Sequence, residues 1–377
     1  MAGITKRRIA LLTSGGDAPG LNAVIRAVTK TAIYTYGCTV FGIEDGFEGC
    51  IAHRYRELGI EDVRGILPRG GTILGASNRC NPFSFAYRAA GETERRDHSG
   101  DVVQWLSELE IDALIVIGGD GSMAVAKELA QLGVPIVGVP KTIDNDIHGT
   151  DVTFGFDTAI TTVMEAIDKL HTTAESHHRV MVVEVMGRTA GWIALYAGLS
   201  GGADVILLPE IPFSLDAVQQ KVMQRAAEGR SFTIVVVAEG AKPIDGTEIF
   251  ETIGPLSYER RYGGMGGWVV EQLRTRIEQE VRLVVLGHLQ RGGAPSGRDR
   301  LLGTIFGSGA MHLVAKGKVG HMVALVSERA DSDTPMLAPV PLSIAGSGPR
   351  QVPLNHAAIV AAQDLGITLG QAEPANG

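Results

Sequence analysis

The chain has 377 residues, 45% hydrophobic and 5% aromatic, with a formal net charge of −8 and a pI of about 5.7. That length buries a large core and accommodates two or three domains, and the acidic balance argues against a nucleic-acid-binding surface. Cys38, Cys50 and Cys80 form no C-x-x-C pair and no disulfide framework, which fits a reducing cytoplasm; no stretch nears the roughly 18 apolar residues of a membrane-spanning helix.

Short Val/Ile/Ala/Leu runs alternate with glycine-rich turns, the pattern of α/β architecture. Residues 9–12 read as the first strand, too short for a signal-peptide core. A Gly15-Gly16 turn follows, then a helix over 21–34. Such a turn offers backbone N–H groups at a helix N-terminus to an anion. A second strand over 40–43 leads to a loop at 45–49, whose Phe47 either packs or stacks on a base. A glycine-rich loop spans 70–80. Residues 81–100 are polar, with Arg88, Arg95 and Arg96, and read as a surface segment that orders over nucleotide; 101–109 read as a helix.

The chemistry gathers in the next unit. A buried strand over 113–117 enters Gly118-Gly119-Asp120-Gly121-Ser122, a helix over 123–132 follows, and a strand over 136–139 runs into Pro140-Lys141-Thr142-Ile143-Asp144-Asn145-Asp146. In an extended segment Thr142, Asp144 and Asp146 point to one side, at the carboxyl end of a strand where α/β sheets bind ligands. The glycine turn cradles phosphate, and Asp120 can hold a neutralising cation. A cradle, a metal carboxylate and a base in one βαβ unit are the equipment of phosphoryl transfer.

Beyond an irregular stretch over 147–156, a helix spans 157–173 and a strand 180–185. Met186-Gly187-Arg188 then opens a second strand–glycine–helix unit, with its helix over 192–199. Gly198-Leu199-Ser200-Gly201-Gly202 matches G-x-S-x-G, but it follows a helix and precedes a strand at 205–208, the reverse of a nucleophile elbow. A helix over 215–228, a strand over 233–238 and a loop or insertion over 241–267 follow, then a helix over 268–279 and a strand over 282–286. His288 and Arg291, three apart, suit a phosphate monoester. A helix over 299–315, a strand over 322–326, a last helix near 356–365 and a frayed tail at 371–377 complete the reading. No H-E-x-x-H spacing supports a zinc site.

The GGDGS turn paired with the TIDND segment resembles the bacterial-type 6-phosphofructokinase family, and further likenesses run to about Arg300: the loop Gly70–Cys80, Met186-Gly187-Arg188, and Gly287–Gly293 continued by Pro295-Ser296 and Asp299-Arg300. The resemblance implies an α/β fold of two similar doubly wound, mostly parallel three-layer αβα domains. These are a nucleotide-binding domain of 1–155 plus about 290–340, and a sugar-phosphate domain of 156–289 plus about 341–377. It implies phosphorylation of fructose 6-phosphate at its 1-hydroxyl by ATP with Mg²⁺, a step of glycolysis in the cytoplasm. Gly16, Arg79, Cys80, Gly119, Asp120, Gly121 and Ser122 contact the donor, with Asp120 as the metal carboxylate. Asp144 is the base. Arg79, one place beyond the usual arginine position held here by Asn78, acts with Arg188 on the transferring group. Thr142, Ile143, Asp146, Met186, Gly187, Glu239, His288, Leu289, Gln290 and Arg291 hold the sugar phosphate. Arg179 and Arg282 reach a neighbouring subunit's sugar phosphate, so a homo-oligomer, dimer or tetramer, is expected.

Gly121 stands where pyrophosphate users of the family carry an aspartate that repels the ATP α-phosphate, whereas Lys141 stands where those users carry lysine. Sterics favour ATP; a pyrophosphate-dependent enzyme and a catalytically silent sensor are the alternatives. Arg26, Lys30 and Glu210 match parts of the family's effector pocket, but His171 replaces an arginine, so altered or absent regulation by ADP is expected.

Overall fold

Continuous apolar runs between glycines specify strands buried on both faces, and the chain stacks them in two parallel sheets. The computed structural model describes residues 7–77, 80–89, 92–246, 249–251, 261–327 and 336–371. Two compact units result: Met1–Thr158 with Arg291–Pro349, and Ala159–Gln290 with Arg350–Gly377.

In the first unit the strands lie in the order Met336–Pro341, His321–Val326, Ile136–Thr142, Ala113–Gly118, Arg8–Thr13, Thr39–Ile43 and Tyr55–Glu57, with Phe154–Gly155 beside Thr142. All pairings are parallel except the outermost one at each end. The two-residue alternation of a strand sorts its side chains. Ile9, Leu11, Ile115 and Val137 pack with helices Leu21–Tyr36 and Gly297–Ala315. Ala10, Leu12, Leu114 and Ile136 pack with Ser99–Glu108 and Asp120–Gln131. Both faces are therefore covered, and the glycine turns emerge at the carboxyl edge.

The second unit holds a four-stranded sheet in the order Val205–Leu207, Thr233–Ala238, Val180–Val185, Val281–Val285, all parallel. Helices Trp192–Ser200, Leu215–Ala227 and Met265–Arg274 belong to it.

Several local expectations need correction. Phe47 is not a loop residue: it opens the helix Phe47–Ala52 and is buried in the core beside Leu12 and Trp105, so it cannot stack on a base. Phe85–Ala89 pairs antiparallel with Glu92–Arg96; residues 90–91 lie outside the described residues. The helix expected from 268 begins at Met265, because buried Glu184 accepts the Gly264 and Gly266 N–H groups at 3.1 and 2.7 Å and so satisfies its N-terminus. That helix ends at Arg274. Within the expected loop, Phe250–Glu251 pairs with Arg261–Tyr262; residues 247–248 and 252–260 lie outside the described residues. Among the described residues, no helix is long and apolar enough to cross a membrane.

Candidate active site

The first strand ends at Thr13, and Ser14 N donates to Ile117 O at 2.9 Å, which ties the Gly15-Gly16 turn to the neighbouring strand end. The loop before Ser77 is fastened to the same place. Thr13 Oγ1 donates to Gly75 O at 2.5 Å, Gly15 N to Ser77 O at 3.1 Å, and Asn22 bonds the backbone of Arg69, Gly70 and Ile73. Gly15, Gly16, Asp17, Gly71, Thr72 and Ala76 line a cavity of about 300 Å³.

Two cations grip this turn from the protein side. Lys141, buried at 3% exposure, donates from Nζ to Gly16 O at 2.5 Å. Arg291 donates from Nη1 to Asp17 O at 3.0 Å. A Cβ on Gly16 would stand 2.5 Å from that same Nη1, so a larger residue there would displace the guanidinium. Arg291 was expected on the sugar phosphate; here its described contacts lie on the phosphate turn. Asp120 is the first residue of helix Asp120–Gln131, after Gly119, and Ser122 is buried within its first turn. No Cβ at Gly121 would meet anything within 4 Å. Cys80 is half-buried against the core; Asn78 and Arg79 lie outside the described residues.

The carboxylates meet, but not through an extended pleat. The strand stops at Thr142, and Asn145 adopts φ +51°. The bend is locked from within: Asp144 N donates to Thr142 Oγ1 at 3.0 Å, Thr153 N to Asn145 Oδ1 at 3.0 Å, and Thr153 Oγ1 to Thr142 O at 2.8 Å. Sequence reasoning missed Asn145 and Thr153; the signal was an asparagine, which tolerates the left-handed conformation, inside a run of turn formers.

Electrostatics separates the two carboxylates. Burial raises both, the Asp120 carboxylate adds to each shift, and Asp144 further disfavours ionisation of Asp146. Arg291 and Lys141 act against that on Asp144. Asp146, raised by burial and then by the Asp144 and Asp120 carboxylates, is pushed up to about 8. Asp144 too is raised overall, because burial outweighs the two cations that favour its carboxylate form. Burial pushes Lys141 down to about 8, with Arg291 adding to the shift. Oδ1 of Asp144 and Oδ1 of Asp146 are buried and accept no hydrogen bond from the described residues. Orphaned buried carboxylate oxygens are costly unless something else meets them.

In the second unit Arg188 is exposed on the turn between Val180–Val185 and Trp192–Ser200. Gly240 supports that turn: its N–H donates to Gly187 O at 3.2 Å, and a Cβ there would stand 1.9 Å from Arg188 O. Glu239 directly follows the adjacent strand Thr233–Ala238. His288 and Leu289 are exposed on the short helix Gly287–Arg291. Gln290 is fully buried; its Oε1 accepts Met186 N at 3.2 Å and its Nε2 donates to Gly287 O at 3.0 Å, so its side chain joins two loops. Arg179 and Arg282 both bond the carboxylate of Glu280.

Comparison with known proteins follows the same lines. A family model described as Phosphofructokinase matches residues 8–314. A Chloroflexus aurantiacus protein named ATP-dependent 6-phosphofructokinase is 52% identical over 366 residues, which is 97% of this chain and 98% of that protein. An Amycolatopsis methanolica protein named pyrophosphate–fructose 6-phosphate 1-phosphotransferase is 50% identical over 319 residues, 84% of this chain and 90% of that one. The solved phosphofructokinase of Saccharomyces cerevisiae superimposes with a TM-score of 0.75 at 31% identity, over 91% of this chain. This chain spans 45% of the yeast chain.

Proposed function

The chain belongs to the phosphofructokinase family, and from that membership we infer that it phosphorylates fructose 6-phosphate at the 1-hydroxyl with ATP as donor. The observation that carries the reading is Asp144: a carboxylate whose charged form Arg291 and Lys141 favour against burial, with a buried oxygen that has no hydrogen-bond partner among the described residues, in the unit that also carries the Gly15-Gly16 turn. Asp144 accepts the proton of the attacking hydroxyl. A carboxylate suffices, because the transition state is loose and the proton leaves late.

The Gly15-Gly16 turn and the N-terminus of helix Asp120–Gln131 present N–H groups to the donor phosphates, with Gly119, Gly121 and Ser122 beside them. Among the described residues no three His, Cys, Asp or Glu side chains converge to hold a metal alone. Magnesium bound with a nucleotide takes phosphate and water oxygens and needs only one or two carboxylates; Asp120 and the orphaned oxygen of Asp146 fit that need. When bound, the ion neutralises charge on the donor phosphates. Arg79 and Arg188 neutralise charge on the transferring group. Thr142, Ile143, Met186, Gly187, Glu239, His288 and Leu289 bind the sugar phosphate, and Gln290 shapes the loops that carry Met186 and His288.

Arg179 and Arg282 serve the sugar phosphate of a neighbouring subunit in a homo-oligomer. Glu280 is their resting partner, and an exposed pair of that kind is exchanged for a phosphate at little cost. The free thiols fit a cytoplasmic setting. Regulation by ADP is altered or absent: His171 Nε2 lies 2.8 Å from Gly201 O, and the Glu210 carboxylate is engaged by backbone N–H groups. Direct ADP titration of the oligomer tests that.

A pyrophosphate donor is the second reading, favoured by the buried ammonium of Lys141 on the phosphate turn and by the Amycolatopsis relative. A coupled assay of fructose 6-phosphate with ATP and with pyrophosphate decides between them. The proposal expects ATP to win and Asp144→Ser to abolish turnover; a higher kcat/KM with pyrophosphate reverses the donor, and an active Ser variant removes the base.

A further inference from the structure

Glu210 takes no part in the reaction described above, yet its carboxylate is a half-buried junction. Oε1 accepts Gly191 N at 2.9 Å and Val352 N at 2.8 Å, and Oε2 lies 3.1 Å from the same Gly191 N. Gly191 caps helix Trp192–Ser200 and follows Arg188 by three residues. Val352 belongs to the C-terminal part of the same unit. One carboxylate thus ties the Arg188 turn to a segment far along the chain.

The neighbours repeat the tie. Trp192 Nε1 donates to Arg350 O at 3.0 Å, and the Arg350 guanidinium lies 4.6 Å from the Trp192 ring centre. Gln351 Nε2 reaches Thr189 O at 3.5 Å, and the His356 ring meets Trp192 edge-on at 5.2 Å. Gly191 is shaped to this contact: a Cβ there would stand 2.8 Å from Glu210 Oε2 and 2.7 Å from Leu208. On the other side, Gly240 supports the turn through Gly187, as described above. The Arg188 turn is therefore held at both ends of its backbone. Burial raises the Glu210 pKa, and the N–H groups of Val352 and Gly191 oppose that; a helix N-terminus favours the ionised carboxylate as well.

We propose that Glu210, clasped to Val352, is a positioning residue for Arg188, fixing the turn so that the guanidinium meets the transferring phosphoryl group. This rests on the role given to Arg188 above. It goes beyond helix capping, because a cap alone needs only one of the two N–H partners, and the second belongs to a segment that lies over the same turn.

The test is a double-mutant cycle on the full-length enzyme, using Glu210→Gln, Glu210→Ala and Arg188→Ala with both substrates varied. A misplaced catalytic group costs on the order of 10- to 100-fold in rate, so Glu210→Gln should lower kcat by that factor. The KM for ATP should stay within about twofold, as expected for loss of a transition-state interaction rather than of donor binding. In the Arg188→Ala background Glu210→Gln should change kcat by less than about twofold, since coupled residues are non-additive. Independent, multiplying effects, or a Glu210→Gln enzyme with full kcat and only a lowered Tm, would overturn the proposal. If Arg188→Ala itself keeps full turnover, the role of Arg188 falls instead, and this inference with it. If Glu210→Ala fails to fold, Glu210→Gln, which keeps the shape and one acceptor oxygen, decides alone.

Discussion

The ammonium of Lys141 donates to the carbonyl of Gly16 at 2.5 Å, joining the end of one central strand to the turn after another. The same ammonium is repelled by Arg291 and attracted by Asp144, Asp17 and Asp146. A desolvated cation with a pKa lowered to about 8 is protonated below that pH and neutral above it. The kcat/KM for the donor, which reports the free enzyme, should therefore decline above about pH 8. Lys141→Arg, charged throughout, should extend the plateau upward. Lys141→Met, which removes both cation and anchor, should cost on the order of 100-fold in donor kcat/KM. Steady-state pH profiles of the three proteins check this; a Met variant with unaltered kinetics would leave Lys141 without a role.

The two carboxylates at 144 and 146 should respond differently. Loss of a general base costs about 10²- to 10⁴-fold, and Asp144→Asn should show that range in kcat. Asp146 gives a stability signature instead. Its pKa rises from 3.8 unfolded to about 8 folded. The folded state thus keeps a proton that the unfolded chain releases, and stability is highest below about pH 4 and declines as pH rises toward 8. Asp146→Asn cannot ionise and should abolish that slope. Its advantage in ligand-free unfolding should be near zero at low pH and grow steadily as pH rises toward 8. A constant difference across pH would contradict the assignment.

Gly121→Asp separates fold from donor. The missing Cβ at Gly121 faces open space, and a carboxylate in the first turn of a helix is electrostatically favoured. Thermal unfolding should shift by less than about 0.5 kcal/mol, as for an ordinary surface substitution. Donor kinetics should change sharply: kcat/KM for ATP should fall by about tenfold or more, the equivalent of 1.4 kcal/mol or more of added repulsion against the nucleotide phosphates. An aspartate variant that kept its ATP kinetics would place the nucleotide elsewhere.

Asp299 supplies a purely structural contrast. It is fully buried; Oδ1 accepts Gly155 N at 2.9 Å, and Oδ2 accepts Thr158 N at 2.8 Å and Thr158 Oγ1 at 2.5 Å. Removing the carboxylate orphans three donors, and Asp299→Ala should cost about 3 kcal/mol. Denaturant unfolding measures this, and a loss under about 1 kcal/mol would mean that water replaces the carboxylate.

The strands of both sheets were legible because apolar runs bounded by glycine leave few other structures, and the parallel order follows from strands alternating with helices. The boundaries that slipped did so for tertiary reasons. Met265 starts its helix because Glu184, on a strand far earlier, satisfies its N-terminus. Phe47 looked accessible in a glycine-rich loop, but the core takes it. At the site, residue types and spacing pointed to phosphate and proton transfer. The charge environment of Asp144 was beyond reach of spacing, because Arg291 arrives from a segment nearly 150 residues later in the chain. The pairing of Arg179 with Glu280 likewise exists only once two strands lie side by side.

Each unit is completed by chain made after the other has begun: the first borrows Arg291–Pro349 and the second Arg350–Gly377. On the ribosome, strand Ile136–Thr142 therefore waits with an open edge until His321–Val326 emerges, and the apolar side of helix Leu21–Tyr36 waits for Gly297–Ala315. Exposed edges and apolar faces invite aggregation. A nascent chain of this design depends on shelter until its last sixty or so residues appear, and a gene cut at the boundary between the units yields no self-sufficient half.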